Sequence, residues 1–170
     1  SHSFDREELN EIFFLGLGEP GQSNPQTGIY GTGREYVRKY TRFDPVSANE
    51  ILDGLGLTKK DSEGFRVRTD NGERLVIPLQ VRTGEVDHVG LSENIAEQMA
   101  RNIGIKIFVD VVEPNSFWGA HTTNEIAVYV WALGSTLTPM LSPHSTVPFN
   151  PAHSWAIKYA QYYATGGKEG

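Results

Sequence analysis

Residues 92–112 read SENIAEQMARNIGIKIFVDVV, and this stretch decides the fold class. Ile95, Met99 and Ile103 recur at helical spacing, which sets them along one side of a helix. Gly104 follows, a residue type that accepts the left-handed conformation at helix ends. The run Ile105-Lys106-Ile107-Phe108-Val109-Asp110-Val111-Val112 comes next, and its branched side chains suit a pleated strand. A helix feeding directly into a strand predicts a crossover unit and an α/β protein with a mixed sheet flanked by helices.

Upstream, Leu75, Ile77, Leu79 and Val81 alternate, and Asp70-Asn71-Gly72 offers the positive φ of a tight turn, so Phe65 to Arg82 reads as a hairpin. Before it, Asp44 can cap a helix, Pro45 suits its first turn, and Gly54 or Gly56 can end it. Asp5 to Leu15 places Leu9, Ile12, Phe13 and Leu15 on one side of a first helix, with Glu7 and Glu8 near its start. Between these helices, glycines and prolines from Gly16 to Gly33 predict a long irregular loop. Downstream, the pattern predicts a short helix at Pro114–His121, a strand at Glu125–Trp131 and a last helix at His153–Tyr163.

A chain of 170 residues suits one domain with its own core, residues 1–170. Its formal charge of −6 argues against nucleic acid as a partner, because phosphate binding draws on clustered Lys and Arg. No stretch reaches the roughly 20 apolar residues of a membrane-spanning helix. Zero cysteines exclude disulfides and thiolate metal sites. Ser1-His2 has the look of a cloning remnant, so the lack of an export signal carries no weight.

The motifs that commonly mark enzymes are missing: there is no G-x-S-x-G elbow, no H-E-x-x-H and no complete phosphate loop. Gly28-Ile29-Tyr30-Gly31-Thr32-Gly33 follows proline-rich coil and lacks the lysine of a phosphate loop, so plain loop is the reading. His88, His121, His144 and His153 are too dispersed for metal-ligand spacing, and no metal or cofactor is expected. Glu85 with Asp87, and Asp110 with Glu113, are the conceivable acid–base pairs, but carboxylates at such places more often cap or face solvent. The chain therefore reads as a binding module and not an enzyme.

Aromatics carry more information. Tyr159, Tyr162 and Tyr163 fall at helical spacing, as core or interface packing would require. Trp131 ends the strand at 125–131 and runs into Ala132-Leu133-Gly134-Ser135, and in open α/β sheets ligands gather beyond the carboxyl ends of strands. Trp131, Tyr129, Trp118, Gly134 and Ser135 are the candidate ligand contacts. Core packing is the competing role for the tryptophans.

Several pieces in order resemble the peptide- and nickel-type extracellular solute-binding proteins. They are Asp5-Arg6-Glu7-Glu8-Leu9-Asn10, then Tyr40-Thr41-Arg42-Phe43-Asp44-Pro45 through Leu57, and Asp61-Ser62-Glu63-Gly64-Phe65-Arg66-Val67-Arg68. Asn102-Ile103-Gly104-Ile105-Lys106 and the strand reaching Trp131 complete the set. The resemblance implies one lobe of a class II, Venus-flytrap binding protein, with residues 1–170 forming most of the second lobe of a longer chain. It implies a small-molecule solute held between lobes, an ABC permease and the first lobe as partners, and a periplasmic or extracellular location, often lipid-anchored.

In peptide-binding relatives, the strand with this tryptophan carries an arginine three residues before it and an aspartate three after, the latter pairing with the peptide's α-amino group. Val128 and Gly134 stand there instead. A buried ammonium without a carboxylate partner is costly. The departure favours an oligosaccharide, with Tyr129, Trp131 and Trp118 offering flat faces to sugar rings. An oligopeptide is the alternative within the family. A carbohydrate-active enzyme and a stand-alone interaction module are the alternatives outside it.

Overall fold

A computed structural model describes residues 1–22, 34–83, 87–130, 147–151 and 156–170. Its elements are α1 (Arg6–Phe14), α2 (Arg34–Arg38), α3 (Pro45–Gly54), β1 (Val76–Arg82), α4 (His88–Ile103), β2 (Lys106–Val112), α5 (Pro114–Thr122) and α6 (Ile157–Ala164).

The crossover forms as its sequence requires. Asp87 caps α4 by accepting the Gly90 amide, and Gly104 closes it at φ 68°. β1 and β2 then pair in parallel, from Val76 opposite Lys106 to Arg82 opposite Val112. Two parallel neighbours need a long crossover between them, and α4 supplies it. Leu79, Ile103, Ile105 and Ile107 are buried with Ala48 of α3, and Ile77, Ala96, Met99 and Val109 pack against them. Ile95 lies elsewhere on α4, lining a cleft of about 350 Å³ with Leu9, Phe14 and Leu91.

The expected hairpin closes only beside its turn, where Arg66 to Arg68 face Glu73 to Leu75, and does not extend to Arg82. Gly72 turns at φ 73° as read, and the Arg68 amide donates to the Glu73 carbonyl at 2.7 Å. Antiparallel pairing there stops at the single bridge between Val67 and Arg74. The alternation of Leu75 to Val81 picked the right faces but could not pick the partner, because the same face is buried whether the neighbour runs parallel or antiparallel. The strand read at 125–131 reduces, among the described residues, to one parallel bridge from Tyr129 to Gln80.

The helix ends behave locally. Asp5 caps α1 by accepting the amides of Glu7 and Glu8, and Asp44 caps α3 by accepting that of Ser47. The apolar side read for α1 is only partly used: Leu9 is buried, while Ile12 is exposed and Leu15 is 79% exposed. Polar contacts at its N-terminal end seat it instead. Buried Gln98 of α4 accepts the Asp5 amide at 2.6 Å and donates to Glu8 at 3.3 Å, and Asn102 donates to the Ser3 carbonyl at 3.0 Å. α6 begins at Ile157, and residues 153–155 of the helix read there lie outside the described residues. Tyr159, Tyr162 and Tyr163 are exposed, so they are not core of this chain.

Arg66 is a buried polar anchor, 2% exposed. Its Nε donates to the Ile103 carbonyl at 2.9 Å and its Nη2 to Asn49 at 2.6 Å. Nη1 reaches Asp53 at 2.6 Å and also the Leu57 carbonyl. Removing the guanidinium would leave buried acceptors without donors. Arg66→Ala is expected to cost roughly 2–4 kcal/mol of stability, seen as a lowered unfolding midpoint, with Arg66→Lys recovering only part of it. An unchanged midpoint in both variants would show that the anchor carries no stability.

Candidate ligand-binding site

β1 and β2 end together, Arg82 beside Val112, and α5 begins just beyond at Pro114, whose ring suits the first helical turn. Leu79 and Val81 point into the core, so by strand alternation Gln80 and Arg82 occupy the opposite face. α5 packs on β1, with its Trp118 against Arg82. Tyr129 arrives through its bridge to Gln80, whose amide donates to the Val128 carbonyl at 3.0 Å and whose carbonyl accepts from the Val130 amide at 3.3 Å.

These backbone constraints gather an aromatic cluster. Phe117, 1% exposed, and His121, 4% exposed, form its floor. Phe117 meets Trp118 edge-on at 5.5 Å between ring centroids and Tyr129 at 5.7 Å. His121 lies edge-on to Trp118 and to Tyr129, each at 5.4 Å. Its Nε2 lies 3.4 Å from the Tyr129 hydroxyl. Burial pushes the Tyr129 phenol above its ordinary pKa of 10.0, since the charged form is the one disfavoured away from water. Trp118 and Tyr129 remain half-buried, leaving part of each ring for contact. The Arg82 guanidinium carbon stands over the Trp118 ring, 5.9 Å from its centroid.

Of the five candidate ligand contacts, the structure brings Trp118 and Tyr129 into one cluster. Trp131, Gly134 and Ser135 lie outside the described residues, as do Gly28 to Gly33, Glu85, His144 and His153. His121, taken from its spacing as a structural histidine, is buried and ring-packed as that role requires. Arg82 and Gln80 were not singled out by sequence pattern. The position of Arg82 at the end of an alternating run was the signal that could have found it.

Two of the four candidate carboxylates have other work. Asp87 caps α4, and Asp110 accepts from the Gln80 side-chain amide across the sheet at 3.0 Å. Glu113 precedes α5 without a capping hydrogen bond and is exposed. Among the described residues, no three His, Cys, Asp or Glu side chains converge as a metal site would need. The arrangement offers flat apolar faces edged by hydrogen-bonding groups, which is the chemistry of a recognition surface.

Residues 1–149 match the family of bacterial extracellular solute-binding proteins, family 5, middle region. The chain belongs to this family. As a family 5 solute-binding chain, it is similar to a probable ABC transporter-binding protein of Deinococcus radiodurans, 28% identical over 115 residues. That match covers 65% of this chain and 18% of the relative. It is also similar to the solved oligopeptide-binding protein OppA, with a TM-score of 0.85 and 28% identity over 100% of this chain and 28% of that one. The periplasmic binding protein MelB of Agrobacterium fabrum, solved with stachyose, shares the fold at a TM-score of 0.73 and 22% identity, over 91% of this chain and 24% of that one. The family 5 chain thus spans well under a third of the length of these relatives. The α/β, class II periplasmic-binding-protein fold expected from the sequence is the fold it has. Among the described residues, no helix is long and apolar enough to cross a membrane.

The raised phenol gives a direct check on the cluster. A folded pKa above the unfolded value means that the folded state holds its proton longer, so the Tyr129 contribution to stability falls as pH rises from 10 through the folded pKa. Alkaline spectrophotometric titration is expected to show a phenol component above 10 that Tyr129→Phe removes. If the substitution leaves the titration curve unchanged, Tyr129 is not buried in this way.

Proposed function

We propose that this chain forms most of the second lobe of the solute-capturing protein of a bacterial ABC importer, and that the solute is an oligosaccharide held between the two lobes. The observation behind the reading is the pair of half-buried rings, Trp118 and Tyr129, braced by buried Phe117 and His121 beside the carboxyl ends of parallel strands. Sugar rings carry apolar C–H faces as well as hydroxyls, and aromatic faces with polar edges suit both. Trp131, Gly134 and Ser135 are further solute contacts in this proposal.

Val128 and Gly134 supply neither the arginine nor the aspartate that the family's peptide-binding pattern implies at those places. That supports a neutral solute over a peptide amino terminus. The stachyose complex of MelB shows that this fold accepts a sugar, while the likeness to OppA keeps oligopeptide as the second reading. In the proposal the protein works outside the cytoplasmic membrane, hands its solute to a permease, and catalyses no reaction. Closing the first lobe over this surface would bury the solute and supply most of the affinity, since one lobe alone provides only part of the contact area.

Calorimetric titration of the full-length protein with oligosaccharide and peptide panels tests the reading. Saturable sugar binding is expected, weakened about tenfold or more in Trp131→Ala, the size of effect commonly found for an aromatic anchor. Tight peptide binding with no response to sugars would overturn the solute class and leave the family unchanged. Turnover of a glycoside would overturn the binding-protein role itself.

A further inference from the structure

We propose that Asn71 is a site of spontaneous deamidation, in which the Gly72 amide nitrogen attacks the Asn71 side-chain amide, and that Glu73 sets the pace by gripping that side chain. The inference is independent of the solute class.

The sequence supplies the reacting pair. Asn71 precedes Gly72, whereas every other asparagine of the chain is followed by a residue with a side chain. A side chain on the following residue crowds the nitrogen that must close on the amide carbon, and glycine has none. The structure leaves the space open. Residues 68–73 are all exposed, and a Cβ built on Gly72 would meet no atom within 4 Å. Water, the one co-reactant needed, therefore reaches the pair.

The same turn holds the reaction back. The Asn71 Nδ2 donates to the Glu73 carboxylate at 3.0 Å, and the Asn71 Oδ1 accepts from the Glu73 amide at 3.0 Å. The Gly72 amide donates to the Arg68 carbonyl at 3.1 Å. Attack requires the side chain to leave Glu73 and the amide to leave that carbonyl. Both restraints lie inside one exposed turn, closed by the bridge between Val67 and Arg74, so releasing them is a local opening that costs far less than unfolding.

In the reaction the Gly72 amide gives its proton to solvent, its nitrogen bonds to the Asn71 Cγ, and Nδ2 leaves with a proton as ammonia. A five-membered succinimide remains. Water then adds across one of its two ring C–N bonds: opening at the side-chain carbonyl gives aspartate, and opening at the main-chain carbonyl gives isoaspartate. Asparagine is among the thermolabile residue types for this reason. Either product sets a new carboxylate where an amide had donated to Glu73, so attraction turns into repulsion. The change is one-way and loosens the turn that leads into β1.

The test incubates the full-length protein at neutral and mildly alkaline pH and follows the tryptic peptide Thr69–Arg74 by mass and by enzymatic isoaspartate labelling. Conversion is expected at Asn71 ahead of the other asparagines, faster at the higher pH, and absent in Asn71→Ser. Glu73→Ala should raise the rate about two- to tenfold, the weight of one hydrogen bond. Glu73→Gln keeps an acceptor and should stay near the wild-type rate. Melting curves check that both variants remain folded. An intact Asn71 in the folded protein, after the free synthetic peptide has converted completely, would overturn the site. Equal rates in Glu73→Ala and the wild type, or equal acceleration in Glu73→Ala and Glu73→Gln, would overturn the role of the Glu73 grip.

Discussion

One buried guanidinium holds the architecture in register. Arg66 donates to the last carbonyl of α4, to Asn49 and Asp53 of α3, and to the Leu57 carbonyl in the loop between α3 and β1. Its own amide donates to the Gly104 carbonyl at 2.6 Å. Two stretches distant in sequence, α3 with the loop just after it and the end of α4, therefore meet on one side chain at the point where α4 turns into β2. Gly104 is bound to that junction as well, since a Cβ there would lie 2.6 Å from the Gly64 carbonyl oxygen. With the helix exit fixed, Ile105 and Ile107 enter the core and the pairing of β2 with β1 follows. A buried charge is costly unless every donor finds an acceptor, and here the surrounding carbonyls and side chains answer it.

How legible each part was depends on how far its determinants lie apart. The caps of α1, α3 and α4 were readable because an aspartate and the amides it accepts are neighbours in sequence. Gly104 was readable for the same reason. The crossover followed from a helix pattern abutting a strand pattern. The partner of β1 was not readable, because Leu79 and Val81 would be buried against α4 in either strand direction, and nothing local to residues 65–82 opposes a hairpin. The seating of α1 was misjudged because its best contacts are polar, through Gln98 and Asn102, and a hydrophobic pattern has no way to register them.

The site was half legible. Trp118 and Tyr129 stood out as aromatics near strand ends, but nothing in one dimension says that Phe117 and His121 brace them or that Arg82 stands over Trp118. That convergence is created by the Gln80–Tyr129 bridge, which joins residues 49 positions apart in the sequence. The same bridge makes the cluster depend on the sheet: whatever holds β1 straight also sets the spacing of the rings. Residues that form the floor are buried hydrophobic or ring-packed groups, and those offered outward are the half-buried ones, which is how a fixed surface presents adaptable edges.

β2 has β1 on one side and, among the described residues, no strand on the other. Its outward backbone amides and carbonyls form a row that another extended chain could extend, and Phe108, 56% exposed, adds an apolar foothold. Lys106 sits exposed at one end of this row, and Asp110 lies further along it. Charges along a free edge discourage a second strand from docking, because pairing would strip their water. The tether between Asp110 and Gln80 draws that carboxylate back across the sheet toward β1, which leaves Lys106 as the exposed charge that makes docking on this margin costly.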